Sequence, residues 1–160
     1  MKKNGFSLVE LLVVFTILAI LITSAVSAIN PVALMNRGKD ARMKKDLSRI
    51  KVAFEEYYSD KNCFPDQTIV DGLMLSNNCG KQIFAPWLPS WICDPGENPY
   101  IIAVDQSACP KWYKVLTNLR NKKDSDIQKD WYTGIKNITG GYTNNDVNYG
   151  VSSQNILWSE

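Results

Sequence analysis

Histidine does not occur anywhere in these 160 residues. Its absence removes Ser-His and Cys-His nucleophile pairs and every metal site built on imidazole. A Gly-rich phosphate loop is missing too, since Gly140 and Gly141 are not followed by Lys-Ser or Lys-Thr. Adjacent carboxylates such as Glu55 and Glu56 diverge on a helix and read as solvated rather than as an acid–base pair. An aspartate pair in the head could in principle do acid–base work, but no catalytic residue is assigned. Neither sign of charge dominates: 18 Lys plus Arg face 16 Asp plus Glu, and loss of Lys2 and Lys3 would bring them to parity. Composition therefore does not mark a nucleic-acid binder. The sharpest scarcity is local. From Phe6 to Ile29 the only charged residue is Glu10.

That stretch is long enough to span a bilayer, which takes about 20 apolar residues. A carboxylate within it costs about 2.5–3.5 kcal/mol on lenient insertion scales, so something must offset Glu10. Two simpler readings compete. A secretory signal peptide would use Val26, Ser27 and Ala28 as a cleavage site before Ile29, but the run is long for one and an internal Glu is foreign to it. A plain signal anchor explains the length but not Gly5, Phe6 and Glu10 in that order. The mature N-terminus separates these readings: Phe6, Ile29 or Met1.

Lys2, Lys3, Gly5, Phe6 and Glu10 together resemble the type IV prepilin signal, the leader shared by pilins and type II secretion pseudopilins; the resemblance covers residues 2–29. It implies cleavage between Gly5 and Phe6 by a membrane prepilin peptidase on the cytoplasmic side, and methylation of the new Phe6 amino group. Glu10 of one subunit would then pair with the Phe6 amine of a subunit already in a fibre. A lone buried charge is costly and a paired one roughly breaks even, so the carboxylate would set register rather than add stability. Domains follow: a leader at 1–5, a transmembrane and assembly helix at 6–30, and a periplasmic or extracellular head at 31–160. The about 130 residues after Asn30 suit one domain. Before assembly the chain would be a single-pass cytoplasmic membrane protein with its N-terminus inside; afterwards, a homo-oligomeric helical fibre at the cell surface or in the periplasm. Expected partners are other pilin-like subunits, the peptidase, and an assembly ATPase with its inner-membrane platform. The stem is shared by secretion pseudopili, pili and DNA-uptake fibres, by major and minor subunits alike. A membrane-anchored binding or adhesion module, or a DNA-uptake module, is the alternative. Glu10 argues against the tip subunit, which in these relatives commonly lacks that acid.

Beyond the apolar run, Pro31 is expected to kink or weaken a helix; the relatives often place a helix-bending proline nearer the middle of that stretch. Met43, Leu47, Ile50, Phe54 and Tyr57 recur at steps of four and three, one face of a helix. One helix from Phe6 to about Asp60, on the order of 80 Å long, is expected, stopped near Asn62, Cys63, Phe64 and Pro65. Between Arg37 and Lys51, seven basic residues (Arg37, Lys39, Arg42, Lys44, Lys45, Arg49 and Lys51) accompany only Asp40 and Asp46. They read as a solvated face meeting Glu55, Glu56 or neighbouring subunits, with lipid head groups or nucleic acid as the alternative. Their external placement runs against the positive-inside tendency; the prepilin motif outweighs it.

Cys63, Cys79, Cys93 and Cys109 all follow the membrane segment, with no metal-ligand spacing, and read as disulfides of an extracytoplasmic head. Three connectivities are open, and sequence-near pairing favours Cys63–Cys79 with Cys93–Cys109. Residues 100–105 and 111–119 are rich in aromatic and β-branched side chains and predict an antiparallel pair, with a third strand from 131–136 or 147–152. The fold class is α+β, a long N-terminal helix packed on a small antiparallel sheet with long loops. The order Asp94, Pro95, then Asn98, Pro99, Tyr100 resembles the turn leading into the first strand of major pseudopilins. In those relatives a loop near the C-terminus often binds calcium, which points to Asp124, Asp126 and Asp130; a turn with a helix N-cap is the simpler reading, and no cofactor is assigned. Five tryptophans, Trp87, Trp91, Trp112, Trp131 and Trp158, read chiefly as packing groups, with an exposed binding patch as the alternative.

Overall fold

The computed structural model describes residues 6–28, 30–127 and 147–154. Two compact units divide between Asn36 and Arg37. The first is dominated by α1, Leu8–Ala28. The single helix expected from Phe6 to Asp60 is instead two, because α2 starts afresh at Pro31 and runs Pro31–Lys61. Asn30 explains the new start. Its side-chain Oδ1 accepts from Ala33 N–H at 3.1 Å, and its carbonyl accepts from Leu34 N–H at 3.2 Å. Pro31 follows at the first helical position, where its missing N–H costs nothing and its fixed φ suits the helix. It begins a helix rather than kinking one.

In the second unit α2 buries Met43, Leu47, Ile50 and Phe54, as the stripe predicts, with Tyr57 half-buried. Fully burying side chains of this kind stabilises by about 1.5–3 kcal/mol each. α2 stops where expected: Asn62 has φ 58°, a left-handed conformation that asparagine tolerates, and its N–H still bonds Tyr58 O at 2.7 Å. A short helix that the sequence reading lacked, α3 (Gln67–Leu73), follows, its first turn capped by Asp66 accepting from Ile69 N–H at 2.9 Å.

The sheet has the order β1-β2-β3, with β1 Ile101–Val104, β2 Tyr113–Thr117 and β3 Tyr149–Ser152, all antiparallel. Both expected strands and the second of the two candidate third strands are present; the other candidate, 131–136, lies outside the described residues. Central β2 is buried along its length. Its Tyr113 ring meets Phe54 edge-on at 4.9 Å and Phe64 at 4.7 Å, joining sheet to helix.

The cysteines pair differently from the sequence-near expectation. Cys63 bonds Cys109 and Cys79 bonds Cys93, one loop nested inside the other. The cause is backbone placement. Phe64 N–H donates to Pro110 O at 2.9 Å, laying the β1–β2 link against the end of α2 and bringing the Cα atoms of Cys63 and Cys109 to 5.0 Å. Inside, Gly80 N–H bonds Trp91 O and Trp91 N–H bonds Lys81 O, both at 2.8 Å, folding residues 79–93 back on themselves. Gly80 there adopts φ +77°, which a side chain would strain.

Candidate functional site

α1 presents its apolar side chains outward. Leu8–Val26 has mean hydropathy 2.6 with none of it buried, the only described helix long and apolar enough to cross a membrane. At 1.5 Å per residue its 21 residues measure about 30 Å, the thickness of a hydrocarbon core. The hydroxyls of Thr16, Thr23 and Ser24 bond within the helix: Thr16 donates to Val13 O at 2.8 Å, Thr23 to Ile20 O at 2.9 Å and Ser24 to Ile20 O at 2.9 Å. These three side chains therefore fit an apolar surrounding. Glu10 lies in the first turn, where a negative charge suits the helix dipole, and no ion pair joins it to another described residue. Phe6 precedes the helix and is 77% exposed; Gly5 lies outside the described residues.

The aspartates singled out for calcium are arranged around a lysine. Lys44 Nζ lies 2.6 Å from Asp124 Oδ1 and 2.6 Å from Asp126 Oδ2, bridging α2 to a loop some 80 residues on. An ammonium thus sits between the two carboxylates. Burial works against the Lys44 charge, but hydrogen bonds to both aspartates and their charges more than offset it and raise its pKa. The Lys44 hydrogen bond, followed by the Asp126 backbone N–H, lowers that of Asp124. Asp124 also accepts from Asp126 N–H at 3.0 Å, the turn geometry of the simpler reading. No group of three metal-ligating side chains occurs among the described residues, and Asp130 lies outside them.

The two acids of the basic run are buried, a role the sequence reading missed. Asp40 accepts from Arg120 N–H and Asn121 N–H, each at 2.8 Å, so it holds the loop after β2. A signal existed: Asp40 falls three residues before Met43, on the apolar stripe itself. Asp46 accepts from the Tyr100 hydroxyl at 3.3 Å and lies 3.8 Å from Arg42. Burial pushes its carboxyl up, and Tyr100, Arg42, Arg49 and Lys45 pull against that. Of the basic residues, Arg37, Arg42, Lys45 and Arg49 are exposed, whereas Lys44 is drawn into the head. Glu55 accepts from the Tyr113 hydroxyl at 3.1 Å, while Glu56 is exposed.

None of the three described tryptophans forms an exposed binding patch. Trp91 is 1% exposed. Trp87 meets Tyr57 edge-on at 4.5 Å and donates to Asp60 at 2.7 Å; Trp112 is half-buried. Trp131 and Trp158 lie outside the described residues. The turn before β1 is as expected, with Asp94 accepting from Gly96 N–H at 2.8 Å and Asn98 N–H at 2.7 Å.

Compared with known families, residues 1–26 match the prokaryotic N-terminal methylation motif, the prepilin-type signal of type IV pilins and pseudopilins. No curated protein and no solved structure matches the chain. The motif supports a pilin-like or pseudopilin class of protein and points to a structural role. With the apolar helix it fits a membrane-anchored protein, and it implies prepilin peptidase and other pilin subunits as partners.

Proposed function

We propose that this chain is a structural subunit of a type IV pilus-like or type II secretion pseudopilus fibre. It is cut between Gly5 and Phe6, methylated on Phe6, held in the cytoplasmic membrane with its head outside, and polymerised through α1 by an assembly ATPase and its membrane platform. The observation that carries this reading is the methylation motif laid over a helix whose apolar side chains all face outward and whose one charge is Glu10. A carboxylate costing about 2.5–3.5 kcal/mol in lipid gains a partner when the Phe6 amine of another copy reaches it, so burial of the charge favours assembly over the free membrane pool.

Intact mass of the purified protein tests the processing step, with a methylated Phe6 N-terminus expected. A start at Ile29 would indicate a secretory signal peptide, and an intact Met1 a plain anchor; either result defeats the reading. Glu10→Ala should still insert and be cleaved but enter fibres poorly, counted by imaging sheared filaments. Normal fibre yield from that variant would remove the role assigned to Glu10.

A further inference from the structure

Away from the stripe that packs into the core, α2 keeps an exposed face of its own. Ala41, Lys45, Ser48, Val52, Glu56 and Ser59 recur along it at steps of four and three, with Arg49 and Asp60 beside them, and all eight are exposed. Charge on this face is sorted by position. Lys45 and Arg49 stand toward the Pro31 end and Glu56 and Asp60 toward the Lys61 end, and none of the four forms an ion pair with a described residue. Asp60 takes one hydrogen bond, from the Trp87 indole to Oδ2 at 2.7 Å, which leaves acceptor sites on its carboxylate. Val52, a large apolar side chain in the middle of the face, is 54% exposed. Lys45 precedes Glu56 by eleven residues, and Arg49 precedes Asp60 by the same step. Eleven residues make almost three helical turns, so the members of each pair share a face but stand about 16 Å apart. The step also carries Ala41 to Val52 and Ser48 to Ser59. Within one copy the opposite charges cannot meet; a parallel copy displaced by that step brings all four pairs level.

We propose that this face of α2 docks a second copy of the chain, parallel and displaced by three turns, with Glu56 and Asp60 of one copy against Lys45 and Arg49 of the other. Val52 then covers Ala41, and Ser59 lies beside Ser48. The inference rests on the fibre reading, because stems drawn from one membrane make the copies parallel; an antiparallel pair would match the same charges. Parallel copies standing level would set Lys45 against Lys45 and Glu56 against Glu56, so the charges oppose pairing in the membrane pool and select the displaced arrangement. Copies in a helical fibre stand at several heights. Glu10 and Phe6, four residues or about 6 Å apart, serve a nearer neighbour than the one met by Glu56. Exposed ion pairs are individually weak, but a fibre repeats them at every subunit.

Full-length chains carrying Lys45→Cys and Glu56→Cys would be co-expressed, and their sheared fibres oxidised and run on non-reducing gels. A cross-linked dimer is expected from this combination and not from Lys45→Cys with Ser48→Cys, which copies standing level would favour. Lys45→Glu and Glu56→Lys should each lower fibre yield at least about threefold by setting like charges against each other. Both changes in one chain should restore the yield, because every copy then offers reversed charges to a reversed partner; loss of a side chain's packing alone would not be rescued in this way. Wild-type fibres whose Lys45→Cys and Glu56→Cys versions fail to cross-link, unchanged yield in both charge variants, or a double variant no better than the single ones would overturn the docking and leave the fibre reading standing. Absence of fibres from the wild-type chain would defeat the fibre reading itself, and the docking with it.

Discussion

At the scale of single residues, Lys44 carries the clearest consequence. Its ammonium joins two aspartates far along the chain, and each end titrates in its own direction. Asp124 has a lowered pKa, so its contribution is present above the ordinary carboxylate value of 3.8 and is lost as pH falls through the lower folded value. Lys44 has a raised pKa, so its contribution is complete below 10.5 and is lost as pH rises through the higher folded value. Lys44→Met should therefore cost about 1 kcal/mol, or about 2–4 °C in Tm, at neutral pH. Melting wild type and variant from pH 2 to 12 should show the gap closing at both extremes; a constant gap would mean that the lysine acts through packing alone. Calcium would have to displace this ammonium, so we expect neither calcium nor a chelator to move the wild-type Tm. A rise of several degrees with calcium would show that the ion wins the two carboxylates.

At the scale of elements, the outer disulfide ties the end of α2 to the β1–β2 link and the inner one closes the loop between α3 and β1. Cys63–Cys109 spans 46 residues and Cys79–Cys93 spans 14. In the chain-entropy model these closures are worth about 4 and about 3 kcal/mol respectively. Cys63→Ser with Cys109→Ser should then lower Tm more than Cys79→Ser with Cys93→Ser, and peptide mapping of unreduced protein should recover the nested pairs. Linkage of Cys63 to Cys79 would contradict the structure. What could be read from the sequence divides along the same line. Periodicity and turn residues are local, so the α2 stripe, its stop at Asn62 and the first two strands were legible, and the third as one of two candidates. Cysteine connectivity was not, because it depends on the Phe64–Pro110 backbone bond that only the folded chain makes. Lys44 and Asp40 were opaque for the same reason, their partners lying some 80 residues away. The helix break has a different cause: a proline alone signals a kink, and only the capping side chain of Asn30 just before it makes Pro31 a start.

At the scale of the molecule, the two units rely on different surroundings. In the first, large apolar side chains of the membrane-length segment are 45–80% exposed, and such a surface needs lipid or other stems to cover it. The second holds all four cysteines, the Lys44 bridge and the sheet, with a core of its own around Phe54 and Tyr113. Reduction should act on the second unit alone. Membranes bearing the unassembled chain, treated with reductant and then protease, should lose the head at temperatures where oxidised protein resists digestion. Alkaline carbonate extraction of undigested samples should leave the chain in the membrane pellet with or without reductant, since nothing in the α1 anchor depends on a disulfide. Release of the chain into the soluble fraction on reduction would show that the head, rather than the apolar helix, holds the protein at the membrane, and the account of α1 as the stem would fail with it.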